Sequence, residues 1–281
     1  MGINNLDSKT NKRLSELLAN TGDMALKRRA REIVTHLELK DGLSVLDIGC
    51  GDGYYLHLLS KLPYKLKLSG TDYDESGLSR ARKNLGKGIP LYQGDLMAKL
   101  PFKSNTWDRV VMSEVAEHLP NDVKGLKEVN RVLKKGGSIC LTVPCWDFPL
   151  LWDPLSWILQ RVGTPIRHGF FAGIWNQHER LYKPDQIVSV LKKAGFEVVE
   201  SKTVTFWCLP FNHYIVNITA RLLAAGSVSG ETATALSKYS VKPKRSFLLN
   251  MAFKFANAVD SLNNWYQPRS GVAVFVHARK K

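Results

Sequence analysis

The stretch SVLDIGCGDG, residues 44–53, constrains the fold more than any other part of the chain. A short β-prone run opens directly into three alternate glycines, Gly49, Gly51 and Gly53. Lacking a Cβ, glycine enters the left-handed region cheaply and lets backbone N–H groups come close to a ligand. A strand that ends this way and feeds a helix is the start of an α/β unit, whose ligands sit beyond the carboxyl ends of the strands. The rest of the chain repeats the alternation. Further strands are expected to end near Asp72, Asp95 and Ser113, with SICLTVP (138–144), residues 196–204 and SGVAVFVHARKK (270–281) completing seven. Between them lie helical segments near 53–61 and 75–85, one capped at Asn121 and stopping at Gly136 and Gly137, and one from Pro184 to Gly195. Leu26, Ala30, Ile33, Val34 and Leu37 mark an earlier amphipathic helix over about 23–39.

This pattern predicts an α/β, doubly wound, mostly parallel seven-stranded sheet. We divide the chain into an N-terminal helical segment (1–43), a core (44–145, 181–205 and 270–281) and two cap insertions (146–180 and 206–269). The second insertion reads as largely helical, with FNHYIVNITARLLAAG and SFLLNMAFKFANAVDSL apolar over wide faces.

The glycine spacing tells against a dinucleotide. The NAD and FAD fingerprint places its third glycine where this chain has Tyr54. Asp47 precedes the turn and Asp52 lies within it, and carboxylates there would repel a pyrophosphate. They suit a ligand bearing positive charge and hydroxyls.

Four segments in order, VLDIGCGDG, GTDYD, QGDLMAKLPFKSNTWDRV and MSEVAEHLP, resemble the motifs of the class I S-adenosylmethionine (SAM) methyltransferases, and the likeness extends over nearly all of 40–204. Within that family the chain resembles the branch acting on small molecules and lipid-like quinones, sterols and glycans. It has SEVAEHL where enzymes acting on base amines carry a Pro-Pro loop. The resemblance implies SAM as cofactor and S-adenosyl-L-homocysteine as product. It places Asp47, Gly49, Cys50, Gly51 and Gly53 against the cofactor, and Asp72 with Tyr73 at its ribose. Asp95 and Leu96 would meet the adenine, and Ser113 and Glu114 line the same pocket. His118 and His178 are the candidates for a catalytic base. Cys145, after Pro144, is read as a plain loop thiol and not as a nucleophile.

The net charge of +15 admits nucleic acid, an anionic membrane or an acidic substrate as partner. The basic patch LKRRAR (26–31) reads as a solvated helix face. The aromatic first insertion reads as a lid over a hydrophobic acceptor, and the second sets an apolar helix beside KYSVKPKR. The expected partner is therefore a small or lipid-linked acceptor met at an anionic bilayer. An RNA-modifying enzyme and a non-catalytic SAM-binding protein are the alternatives. No apolar run is long enough to span a membrane, and the N-terminus lacks a signal core, so a cytoplasmic chain, peripheral at the inner membrane face, is expected. The four cysteines form no Cys-x-x-Cys pair and no metal is expected from sequence spacing.

Overall fold

The computed structural model describes residues 6–209, 211–265 and 270–281; residues 1–5 of the expected N-terminal segment, and 210 and 266–269 of the second insertion, lie outside them. The strands are β1 (Ser44–Ile48), β2 (Lys67–Asp72), β3 (Leu91–Gln93), β4 (Trp107–Ser113), β5 (Leu133–Pro144), β6 (Phe196–Val204) and β7 (Ala273–Lys280). They form one sheet in the order β3-β2-β1-β4-β5-β7-β6. Strands β1 to β5 pair in parallel, and β7 runs antiparallel between β5 and β6. Among the described residues β7 is the only strand paired with β6.

The helices are α1 (Ser8–Leu18), α2 (Met24–His36), α3 (Tyr54–Ser60), α4 (Glu75–Leu85), α5 (Asp122–Val132), α6 (Pro154–Arg161), α7 (Pro184–Lys193), α8 (Asn212–Ala224), α9 (Gly230–Leu236) and α10 (Phe247–Ser261). Side chains alternate across a strand, so successive residues feed opposite layers. Leu46, Val110 and Met112 pack with Leu126 and Val129 of α5 and Ile187 and Leu191 of α7. Val45 and Val111 point the other way, onto Ile33 and Val34 of α2, Leu14 of α1 and Leu58 of α3. The two insertions share a smaller core, in which Phe148, Trp152 and Trp175 meet Cys208 and the first turn of α2.

Three boundaries differ from the sequence reading. α5 ends at Val132, not at Gly136, because Leu133 is fully buried and already pairs with Trp107. α1 was not expected; its polar sequence hides a stripe, Leu14, Leu17 and Leu18, that is buried on α2 and α3. The second insertion holds three helices, because Ser229 and Gly230 start a short α9 between the two long ones.

Candidate active site

The sheet order reverses between β1 and β4, which opens a crevice beyond their carboxyl ends. The glycine turn lies in it. The N–H groups of Gly49 and Cys50 donate to the Thr71 carbonyl at 2.8 and 3.1 Å, which folds the turn onto β2. Gly49 has φ +70°, and a Cβ there would lie 2.3 Å from Val115 Cγ2. Gly51 has φ +52° and open space before it, the geometry of a backbone a ligand approaches. Gly53 caps α3. Cys50 turns its thiol inward to Leu56 and Leu78, so only its main chain faces the turn.

Asp47 is 1% exposed, and its Oδ2 meets no hydrogen-bond donor among the described residues. Burial, then the nearby charges of Asp72 and Asp52, push its carboxyl well above the usual range. A buried acid in this state is a receptor for positive charge. Asp72 accepts from Gly51 N–H at 2.7 Å and from Asp74 N–H at 2.8 Å, which fixes it across the turn with lone pairs to spare. Tyr73 is largely exposed beside it. Asp95 accepts from Met97 N–H at 2.7 Å, holding the loop after β3, and Leu96 is buried behind it. A bare backbone face, a buried carboxylate without a donor and an anchored acid at the end of β2 fit a cation bearing a ribose, as SAM is.

Ser113 and Glu114 stand at the end of β4. Ser113 Oγ joins Tyr55 OH (2.9 Å) and Thr142 Oγ1 (2.8 Å), and Thr142 donates to Glu114 Oε1 (3.0 Å). Ser113 is thus a link in a chain beneath the crevice. Glu114 Oε2 pairs with Arg29 at 3.1 Å, with the two side chains 25% and 13% exposed. This corrects the reading of LKRRAR as a solvated face: Arg29 is turned inward to Glu114, while Lys27 and Arg28 pair with Asp260 of α10 at 2.9 and 2.7 Å. Three successive cations are paired, two of them sharing one carboxylate, because α10 and the β4 loop supply acids that the local sequence does not reveal.

The β4 loop continues into a 3-10 turn, Ala116–His118. His118 meets His178, which returns from the first insertion, with ring centroids 4.7 Å apart. The sequence names each of these as a candidate base; it does not single out Glu117 between them, although that residue lies in the same SEVAEHL stretch as His118. Glu117 is fully buried, and both His118 Nε2 and His178 Nε2 approach its Oε1, at 3.8 and 3.9 Å. Burial, then Glu114, holds its carboxyl well above the usual range. Tyr182 bonds Asp122 at 2.8 Å and packs in the core. Cys145 is buried with its thiol pushed up to about 11 by burial, so little thiolate exists at neutral pH.

Two cavities adjoin this end of the sheet. A polar chamber of about 250 Å³ is walled by Arg29, Glu114, His178, Trp152 and Asn176. An apolar groove of about 630 Å³ runs between α2, α8 and α10, from Leu249 and Phe253 to Asp52 at the glycine turn. Asp23 and Val216 line both, so the two cavities are neighbours there.

The Methyltransferase domain family matches residues 46–141. The demethylmenaquinone methyltransferase of Staphylococcus carnosus is 30% identical over 187 residues, covering 62% of this chain and 76% of that one. Cycloartenol-C-24-methyltransferase 1 of Oryza sativa is 28% identical over 226 residues, covering 76% of this chain; the chain spans only 63% of that relative's length. Among solved structures, phosphoethanolamine N-methyltransferase 2 of Haemonchus contortus, in complex with S-adenosyl-L-methionine, superposes with a TM-score of 0.54 at 19% identity. It covers 90% of this chain and 52% of that one, and shows the likeness of fold alone. With the glycine turn and the acids of β1, β2 and β3 set around one crevice, the chain belongs to the class I S-adenosylmethionine-dependent methyltransferases.

Proposed function

We propose that this protein transfers a methyl group from SAM, in line, to a small hydrophobic or lipid-linked acceptor. The observation that carries the reading is the adjacency, across Asp23 and Val216, of a polar chamber and a larger apolar groove. A polar headgroup fits the first and a hydrocarbon tail the second. The groove is within the size of small-molecule sites, and nothing in it resembles a basic channel for a polynucleotide. Asp47, the backbone of Gly49 to Gly53, Asp72 with Tyr73, and Asp95 with Leu96 would hold SAM, with Ser113 and Glu114 closing its acceptor side. SAM supplies an electrophilic methyl on a sulfonium. The chain's own work is to orient the acceptor and exclude water, worth up to roughly 7–11 kcal/mol of barrier. His118 and His178 are assigned to the acceptor's reactive group.

The name of the staphylococcal relative speaks of a quinone and that of the rice relative of a sterol, and both support an apolar acceptor here. The test is transfer of labelled methyl from SAM to isoprenoid quinols and sterols of graded tail length, beside total RNA. We expect KM to fall as the tail lengthens and Val216→Trp to abolish that dependence. Labelling of RNA alone would sink the proposal.

The cap also suggests where the acceptor is met. On α8, Asn212, Ile215, Val216, Thr219 and Leu223 line the groove, while Ile218 and Leu222, with Phe211 just before the helix, form a second, exposed stripe. On α10, Leu249, Phe253 and Ala256 face the groove, while Leu248, Met251 and Phe255 are exposed. Helices apolar on both faces belong in an apolar surrounding. Residues 206–265 carry six cations, Arg221, Lys238, Lys242, Lys244, Arg245 and Lys254, against Glu231 and Asp260. We therefore propose that this face rests on an anionic bilayer. Among the described residues no helix is long and apolar enough to cross one.

A further inference from the structure

Glu117 presents an electrostatic problem that the fold does not solve with its own donors. It is fully buried, and neither carboxylate oxygen meets a hydrogen-bond donor among the described residues. Two imidazole nitrogens converge on one of those oxygens, His118 Nε2 at 3.8 Å and His178 Nε2 at 3.9 Å. Both distances exceed a hydrogen bond. The orientation of His118 sharpens the problem. Its Nδ1 lies 2.9 Å from the carbonyl oxygen of Gln177. A carbonyl only accepts, so Nδ1 carries the proton, and in the neutral ring Nε2 aims a lone pair at the carboxylate. A lone pair of a half-exposed imidazole then faces a buried carboxyl oxygen, a contact that a cation between them would satisfy.

The three atoms are also spaced for a single ion. All lie within 4.8 Å of one another. Metal–ligand bonds of about 2.0–2.2 Å would set neighbouring ligand atoms about 3–3.5 Å apart, so the two contacts to Glu117 need a few tenths of an ångström of closure and the widest separation needs about 1 Å, a side-chain rotation. The Nδ1–H to carbonyl bond is the outer contact that orients metal-ligating histidines and fixes their tautomer. The two supplying loops are tied together, since Glu179 N–H donates to the Glu117 carbonyl at 3.0 Å.

We propose that Glu117, His118 and His178 bind one divalent transition-metal ion in the wall of the polar chamber. Two nitrogens and one carboxylate suit zinc, iron(II), manganese(II) or cobalt(II) better than the oxygen-seeking calcium and magnesium. His178 lines the chamber, so an ion held by it would lie beside the acceptor space. An ion there would grip a hydroxyl or carbonyl oxygen of the acceptor headgroup; that role rests on the methyltransferase reading, whereas the binding of the metal does not.

The experiment uses the full chain without a polyhistidine tag, stripped with a chelator and titrated with cobalt(II) and, by calorimetry, zinc(II). The expected result is one saturable site per chain, a visible cobalt absorption band, and a rise in Tm with zinc. Glu117→Gln, which keeps the side chain's shape, His118→Ala, at a half-exposed position, and His178→Ala should each weaken binding about tenfold or more and remove the Tm rise. No saturable binding by the wild-type chain, or equal binding by all three variants, would overturn the proposal and leave a shared proton as what joins these groups. SAM titrated in chelator is the separate arm: its binding tests the coenzyme crevice, and its failure leaves the metal result untouched.

Discussion

Asp72 shows how one carboxylate serves both the chain and its coenzyme. It holds the glycine turn through Gly51 N–H and opens the next helix through Asp74 N–H. Asp72→Ala is expected to weaken SAM binding at least about tenfold by calorimetry, since a hydrogen bond to a charged group is worth about 1.5–3 kcal/mol. It should also lower Tm, because two backbone donors lose their acceptor. Arg29 behaves differently. Arg29→Met leaves Glu114 without its cation in a half-buried wall beside Glu117, and we expect a loss of about 3 kcal/mol in urea unfolding. Glu114→Gln placed on that variant should recover part of it. The acids of the first three strand ends were legible in the sequence because their positions follow directly from the strand pattern. Arg29 was not, because a cation on a basic helix declares its burial only when a strand end from far along the chain arrives beside it. Glu117 escaped for the same reason: its partner His178 is sixty-one positions away, a separation that no local spacing rule bridges.

At the level of elements, alternating strand and helix signals made the seven strands legible, and the period of two in SGVAVFVHARKK marked β7. The antiparallel insertion of β7 between β5 and β6 is a tertiary choice, and it buries a histidine. His277 is 2% exposed, with Nε2 lacking a hydrogen-bond partner among the described residues. Burial lowers its pKa to about 4, with neighbouring cations including His36 and Arg279 adding to the effect against Glu38. The unfolded chain therefore binds more protons than the folded one between about pH 4 and pH 6.5. This contribution is fully present above pH 6.5 and is lost as pH falls toward 4, by roughly 3 kcal/mol for an unscreened group. Chemical denaturation across that window should show the decline, and His277→Leu should flatten it. The helices of the second insertion were visible as apolar segments. Which of their two apolar stripes faces the groove was not, because periodicity reports a face without naming what covers it.

For the whole molecule, charge and apolar surface act together. Sedimentation with vesicles containing anionic lipid should capture the protein at low salt and release it as salt rises, since basic side chains at an anionic surface are screened beyond a Debye length. Leu248→Glu and Phe255→Glu are each expected to weaken the association about tenfold, the worth of about 1.4 kcal/mol of apolar burial. Equal capture by neutral and anionic vesicles at every salt would remove the electrostatic half of the proposal.

The position of β7 also sets an order of assembly. β6 has finished at Val204, yet the strand that pairs with it among the described residues begins at Ala273. During synthesis the nascent chain must therefore carry a naked strand edge while the second insertion emerges from the ribosome. Closure of this side of the sheet has to await a segment that also fills the gap beside β5. Translation arrested just before Ala273 should leave a protease-sensitive, chaperone-bound intermediate with two exposed edges, and release of those final strand residues should seal both at once.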